Sequence, residues 1–202
     1  DVYKRQLLML QHRGQDAAGM VVCEPGGKLN SRKSKGYVRD VFQQTHMNNL
    51  QGNIGIGHVR YPTAGGVGKE FAQPMYVNTP YGISLAHNGN LTNSKKLAAE
   101  LFHAERRHIN TESDSEVLLN IFALELSKQE AVFPKPKDFF AAVEKTHLRI
   151  NGAYAVVALI TGYGILAFRD PLGIRPLTIG VRKGENRNEY VVSVSYTHLT
   201  LP

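Results

Sequence analysis

Cysteine is almost missing from this 202-residue chain: Cys23 stands alone. One thiol excludes a disulfide framework within the chain and suits a reducing compartment, so a cytoplasmic location is expected. Long apolar runs are missing too. No stretch approaches the roughly 20 residues that cross a bilayer and no secretory h-region is visible, so no membrane partner is expected. The eight histidines, among them His46, His58, His87 and His108, show no Cys/His ligand spacing, so no metal is expected. Phosphate-cradling loops are absent as well. Thr63 stands where a P-loop needs its first glycine, Glu70 where it needs a hydroxyl, and Arg60 where a dinucleotide fingerprint needs its third glycine. No internal repeat or low-complexity segment interrupts the chain.

The charge is uneven, 24 basic against 17 acidic residues, but the basic residues are scattered apart from the short runs Arg32, Lys33, Lys35 and Arg106-Arg107. The second run falls at a helix end, where cations complement the dipole, and no nucleic-acid partner is expected. An apolar content of 42 % can bury one substantial core. Alternation and apolar runs predict strands near 18–23, 30–36, 53–60, 82–87, 153–160, 163–169 and 189–193, with 153–160 covered on both faces. Helical spacing predicts helices over 94–107, capped by Thr92 or Asn93, over 114–127 after Ser113, and over 139–150 after Asp138. Periodicity alone gives a mixed α and β domain.

Three local patterns carry chemistry. Ala-His-Asn-Gly-Asn-Leu-Thr-Asn at 86–93 follows the apolar residues Ile83 and Leu85. Where a buried strand breaks into a turn, the Asn88 side chain and the Gly89 N–H can aim two donors at one point, as an oxyanion hole requires; the same dipeptide is also the commonest hairpin turn. At 52–65, Ile54, Ile56, His58 and Arg60 share one face of an extended segment, and Arg60 is either a fork for a substrate carboxylate or a structural ion pair. Ser113 and Glu116 have capping-box spacing, which leaves Asp114 in the first helical turn able to bind an ammonium group. Cys23, next to Met20, Val21 and Val22, reads as a small core residue. Anion clamp, cation clamp and oxyanion hole together describe a site for an amino acid whose side-chain carbonyl is attacked, and glutamine fits.

The motifs LQHRGQDAAG (10–19), GNIGIGHVRYPTAG (52–65), AQPMYVN (72–78), AHNGNLTN (86–93), TESDSE (111–116) and FRDPLGIRPL (168–177) span nearly the whole chain. On these the chain resembles the glutaminase domain of the amidophosphoribosyltransferase family, class II glutamine amidotransferases of the N-terminal-nucleophile hydrolase superfamily. Glucosamine-phosphate synthases and asparagine synthetases share the arginine, Asn-Gly and aspartate elements but differ at Gln11-His12-Arg13-Gly14-Gln15-Asp16. The resemblance implies an α+β fold, a four-layer αββα sandwich, here expected to lack its first strand. It implies that Arg60 holds the α-carboxylate of L-glutamine, Asp114 its α-ammonium, and Asn88 with Gly89 the oxyanion. Tyr61 and Thr63 would line the site, while His12, Arg13 and Gly14 would brace it.

One part of the pattern is missing. The family attacks glutamine with an amino-terminal cysteine, whereas residue 1 is Asp1 and Cys23 has no free α-amine beside it. The domain is expected to cover 7–193, with 1–6 and 194–202 as non-native ends resembling translated adapter sequence. Since loss of a nucleophile costs on the order of 10⁶ in rate, the chain is expected to hold glutamine without hydrolysing it. The parent enzyme would pass ammonia to phosphoribosyl pyrophosphate in a following phosphoribosyltransferase domain that carries magnesium, would give phosphoribosylamine for purine synthesis, and would be a homo-oligomer; no cofactor is expected in this chain. Another class II amidotransferase, or an amino-acid-binding module without catalysis, is the alternative.

Overall fold

The computed structural model describes residues 2–61, 68–184 and 188–194. Strand β1 (Ala17–Cys23) lies between β2 (Leu29–Lys35) and β3 (Ile54–Arg60), all antiparallel, in the order β2-β1-β3. Period-2 alternation sorts its side chains. Ala18, Met20 and Val22 pack with Val59 against Leu7, Val38, Val41, Phe42 and Met47. Those residues come from helices α1 (Val2–Met9), α2 (Val38–Val41) and α3 (Gln44–Asn49) and their flanks. Val21, Cys23 and Ile56 point the other way, toward Leu159.

Leu159 belongs to a second antiparallel sheet. It contains β4 (Met75–Val77), β5 (Ile83–Leu91), β6 (Gly152–Ile160) and β7 (Gly164–Arg169), in that order. Its outer face carries Ile83, Leu85, Tyr154, Val156, Ala158 and Ile160 into the largest apolar cluster, shared with α4 (Ser94–His103), α5 (Asp114–Ser127) and α6 (Pro136–Arg149). Helix α5 is the centre of that layer, buried on nearly every side. Truncating Leu118 or Leu119, both fully buried, would cost about 3 kcal/mol. Helices, sheet, sheet, helices make the four layers expected from the family resemblance. Among the described residues, strands β8 (Thr178–Lys183) and β9 (Asn188–Ser193) pair only with each other, and Ile179, Val181 and Tyr190 are exposed.

Several local expectations are corrected. The strand placed at 82–87 runs on to Leu91, because residues through Leu91 keep register with β6. The helix placed at 94–107 ends at His103: Arg106 adopts φ 56°, and the Arg107 N–H turns back to the Leu101 carbonyl. Asn93 holds the N-cap position, but its side chain ties the end of α6 to β6 through Arg149 O and Asn151 N. Helix α6 starts at Pro136, with Asp138 one turn inside, accepting the Lys135 N–H at 2.7 Å. The capping box at Ser113 is only half made. Ser113 Oγ accepts the Ser115 N–H, while Glu116 is drawn to the backbone N–H groups of Asn110 and Thr111. Residues 2–6 form most of α1, and Tyr3 and Leu7 of that helix lie over Gly55 and Gly57 of β3.

Candidate functional site

The alternation that buries Ile56 between the sheets carries His58 and Arg60 onward along the same face of β3, and brings Ala86 and Asn88 of β5 to meet them. There the sheets part around a cavity of about 950 Å³, whose lining includes His58, Arg60, Tyr61, Asn88, Gly89 and Asp114. The space exceeds the single-amino-acid cavity that the motifs suggest. Phe102, Ile109, Val192 and Ser193 also contribute to its wall. Thr63 lies outside the described residues.

Asn88 and Gly89 sit within strand β5, opposite Ala155 and Tyr154 of β6, and not in a turn. Gly89 has φ +146°, and a Cβ there would lie 2.0 Å from the Ala153 carbonyl oxygen. The position therefore requires glycine, through both its backbone angle and the approach of β6. Asn88 Oδ1 lies 2.8 Å from His58 Nε2, across the space between the sheets. Burial pushes His58 down to about 4; the Asn88 hydrogen bond, the next largest influence, opposes it, and nearby His87 and Arg60 add smaller lowering contributions, so its imidazole is neutral at pH 7.

Asp114 is the first residue of α5, where a carboxylate also suits the helix dipole. Its Oδ2 accepts the Leu91 N–H at 3.0 Å, tying the start of the helix to the end of β5. His87 lies behind it, with Nε2 3.8 Å from Asp114 Oδ2 and Nδ1 2.8 Å from Ser115 Oγ. Burial lowers the His87 pKa; Asp114 opposes this and Arg175 adds to it. Near pH 7 the Asp114 carboxylate therefore faces a neutral imidazole, and the two do not form an ion pair.

Arg60 is buried, and its Nη1 donates to Asp16 Oδ2. Its guanidinium carbon lies 5.3 Å from the centre of the Phe71 ring. The segment before β1 wraps the end of β3. The Asp16 N–H donates to the Arg60 carbonyl, and a Cβ on Gly14 would lie 2.6 Å from the Arg60 carbonyl carbon. Gly14 thus lets the backbone close on Arg60, and Arg13 reaches the cavity wall. His12 is exposed, directed to the Met9 carbonyl, and is not among the lining residues. Tyr61 stands at the rim, 68 % exposed.

His58, Asp16, His87 and Arg175 had no site role in the sequence reading. His58 shared a face with Arg60, and that spacing was the usable signal. Arg175 reaches the cavity because Asp170 accepts the N–H groups of Tyr154, Ile174 and Arg175 and so fixes the preceding turn. An Asp-Pro-x-Gly run at 170–173 is the local trace of that turn. Cys23 is buried between the sheets with Val21, Ile56 and Leu159, outside the cavity lining. Among the described residues there is no group of three or more His, Cys, Asp or Glu able to hold a metal, and no helix long and apolar enough to cross a membrane.

Residues 67–199 match a family model described as a glutamine amidotransferase domain. The amidophosphoribosyltransferase of Pseudomonas aeruginosa is 59 % identical over 187 residues, which is 93 % of this chain and 37 % of that protein. Its namesake in Escherichia coli is 57 % identical over 188 residues, with the same two shares. A solved glutamine phosphoribosylpyrophosphate amidotransferase from B. subtilis, complexed with ADP and GMP, superposes with a TM-score of 0.74 at 32 % identity, covering 95 % of this chain and 38 % of that one. A structure titled as the allosteric regulatory enzyme of purine biosynthesis gives a TM-score of 0.78 at 34 % identity, over the same two shares. The chain spans a little over a third of the length of these relatives.

Proposed function

Because the chain belongs to the glutamine amidotransferase domain family, we propose that the cavity between its sheets binds L-glutamine and presents the side-chain amide for attack. The observation that supports this most is that Arg60, Asn88, Gly89 and Asp114, from three separate elements, line one cavity. Arg60, oriented by Asp16, takes the α-carboxylate. Asp114, at the start of α5, takes the α-ammonium. Asn88 Nδ2 and the Gly89 N–H stabilise the oxyanion that forms when the amide carbon becomes tetrahedral. Tyr61 and Thr63 border the substrate, and Arg13 and Gly14 brace the Arg60 end of the site.

The attacking thiolate in this family comes from an amino-terminal cysteine, and Cys23 lies outside the cavity. Cys23 is therefore not the attacking group in this reading. In the enzyme to which the domain belongs, ammonia passes to phosphoribosyl pyrophosphate in a fused phosphoribosyltransferase domain, giving phosphoribosylamine for purine synthesis. Magnesium belongs to that domain. The enzyme is cytoplasmic and a homo-oligomer in this reading.

Calorimetric titration tests the binding claim. L-Glutamine should bind saturably, and D-glutamine, which cannot meet both clamps and the oxyanion donors at once, at least about tenfold more weakly. Equal affinity for the two would overturn the proposal.

A further inference from the structure

A carboxamide can turn by half a revolution. It then offers a passing oxyanion either two N–H donors or a repelling carbonyl oxygen. Something must hold Asn88 in the first orientation. We propose that His58 is a positioning residue that donates its Nε2–H to Asn88 Oδ1, locking the carboxamide with Nδ2 toward the cavity. The inference rests on the reading of Asn88 as an oxyanion donor and names what makes it one.

Three observations carry it. The contact is 2.8 Å and joins β3 to β5, strands of different sheets, so it is fixed by the packing of the two sheets and not by local sequence. His58 Nδ1 is buried and makes no hydrogen bond of acceptable geometry among the described residues; the His87 backbone near the ring is the weakest of the influences on it. A proton placed there would be an orphaned donor, whereas a bare lone pair is the less costly state, so the proton belongs on Nε2. With Nε2 protonated, only the oxygen of the carboxamide can face it. Burial also keeps the ring neutral at pH 7, so it is a fixed dipole and brings no second cation beside Arg60.

Two measurements on the 202-residue chain test this. The first needs no substitution: nitrogen-15 spectra of the imidazole should show Nε2 protonated and Nδ1 bare between about pH 5.5 and 8. A proton on Nδ1, or a ring that titrates at its ordinary value, would overturn the inference. The second compares L-glutamine with L-norvaline, which keeps the amino-acid head but lacks the side-chain amide. The unsubstituted chain should prefer glutamine by about tenfold. His58→Leu should lose most of that preference while binding norvaline as before, and His58→Gln, whose amide N–H can donate to Asn88 Oδ1, should restore it. A folded His58→Leu chain that keeps the full preference, or that loses both ligands in step, would refute positioning. An unsubstituted chain with no preference would refute the oxyanion reading itself, and the imidazole spectrum, which does not depend on glutamine, tells the two failures apart.

Discussion

Replacing Gly89 with alanine strikes the fold and the site together. The added Cβ would sit 2.0 Å from the Ala153 carbonyl oxygen and 2.7 Å from the Tyr154 Cα. Neither neighbour can yield. The Tyr154 N–H is held by Asp170 Oδ1, the Tyr154 carbonyl accepts the Asp170 N–H, and the Tyr154 side chain is fully buried. The backbone angle, φ +146°, costs a residue with a Cβ about 1–3 kcal/mol. Forcing a carbon into a packed site costs about 1–3 kcal/mol more. Together they come to about 4 kcal/mol, which for a chain of this size lowers the thermal midpoint by about 8–16 °C. Thermal unfolding followed by circular dichroism reads the first effect, and calorimetry with L-glutamine the second, since β5 must shift and carry the Gly89 N–H with it. A Gly89→Ala chain melting within about 3 °C of the unsubstituted chain would refute the reasoning.

Asp16→Ala leaves the buried Arg60 guanidinium without its carboxylate; urea unfolding should show a loss of about 3 kcal/mol, and an unchanged midpoint would deny that the pair is structural. His58 has a folded-state pKa below its unfolded value, so the unfolded chain binds the extra proton between about 4 and the ordinary histidine value, and stability must fall as pH drops through that window. Part of the ring borders the cavity, so the loss is set at about 2 kcal/mol; His87 adds to it in the same direction, and His58→Gln should remove the His58 share, as urea midpoints at neutral and acid pH will show. Cys23→Ala should weaken the contact between the sheets by about 1–2 kcal/mol while leaving the dissociation constant for glutamine unchanged, and a large change in that constant would place the thiol in the site after all.

Long periodic segments were legible in the sequence, and the reason is burial on one face. Helix α5 and strands β1, β3 and β6 lie within a residue or two of where their apolar spacing puts them. Strand β4, three residues long, and strand β8, with alternate residues half exposed, carried too little pattern to be seen. The Asn-Gly pair misled in conformation, since hairpin turns favour the same dipeptide. Only the packing of β6 across Gly89 distinguishes a kinked strand from a turn. At the site, single residues such as Arg60 and Asp114 could be named from local chemistry. Their partners could not. Asp16 pairs with Arg60 across 44 positions of sequence, a contact made only when β1 lies beside β3 in one sheet, and His58 pairs with Asn88 across 30, a contact that exists only once the two sheets face each other.

The central claim is that residues 60, 88, 89 and 114 form one glutamine site, and a titration of the nitrogen-15-labelled chain with L-glutamine tests it most directly. The account predicts that the Gly89 backbone amide, the Asn88 side-chain amide, the Arg60 Nε–H and the amides of residues 113–115 shift together, saturably and with a single dissociation constant. No saturable shift, or shifts confined to the second cavity, lined by Lys33, Pro74 and Ser84, would contradict it.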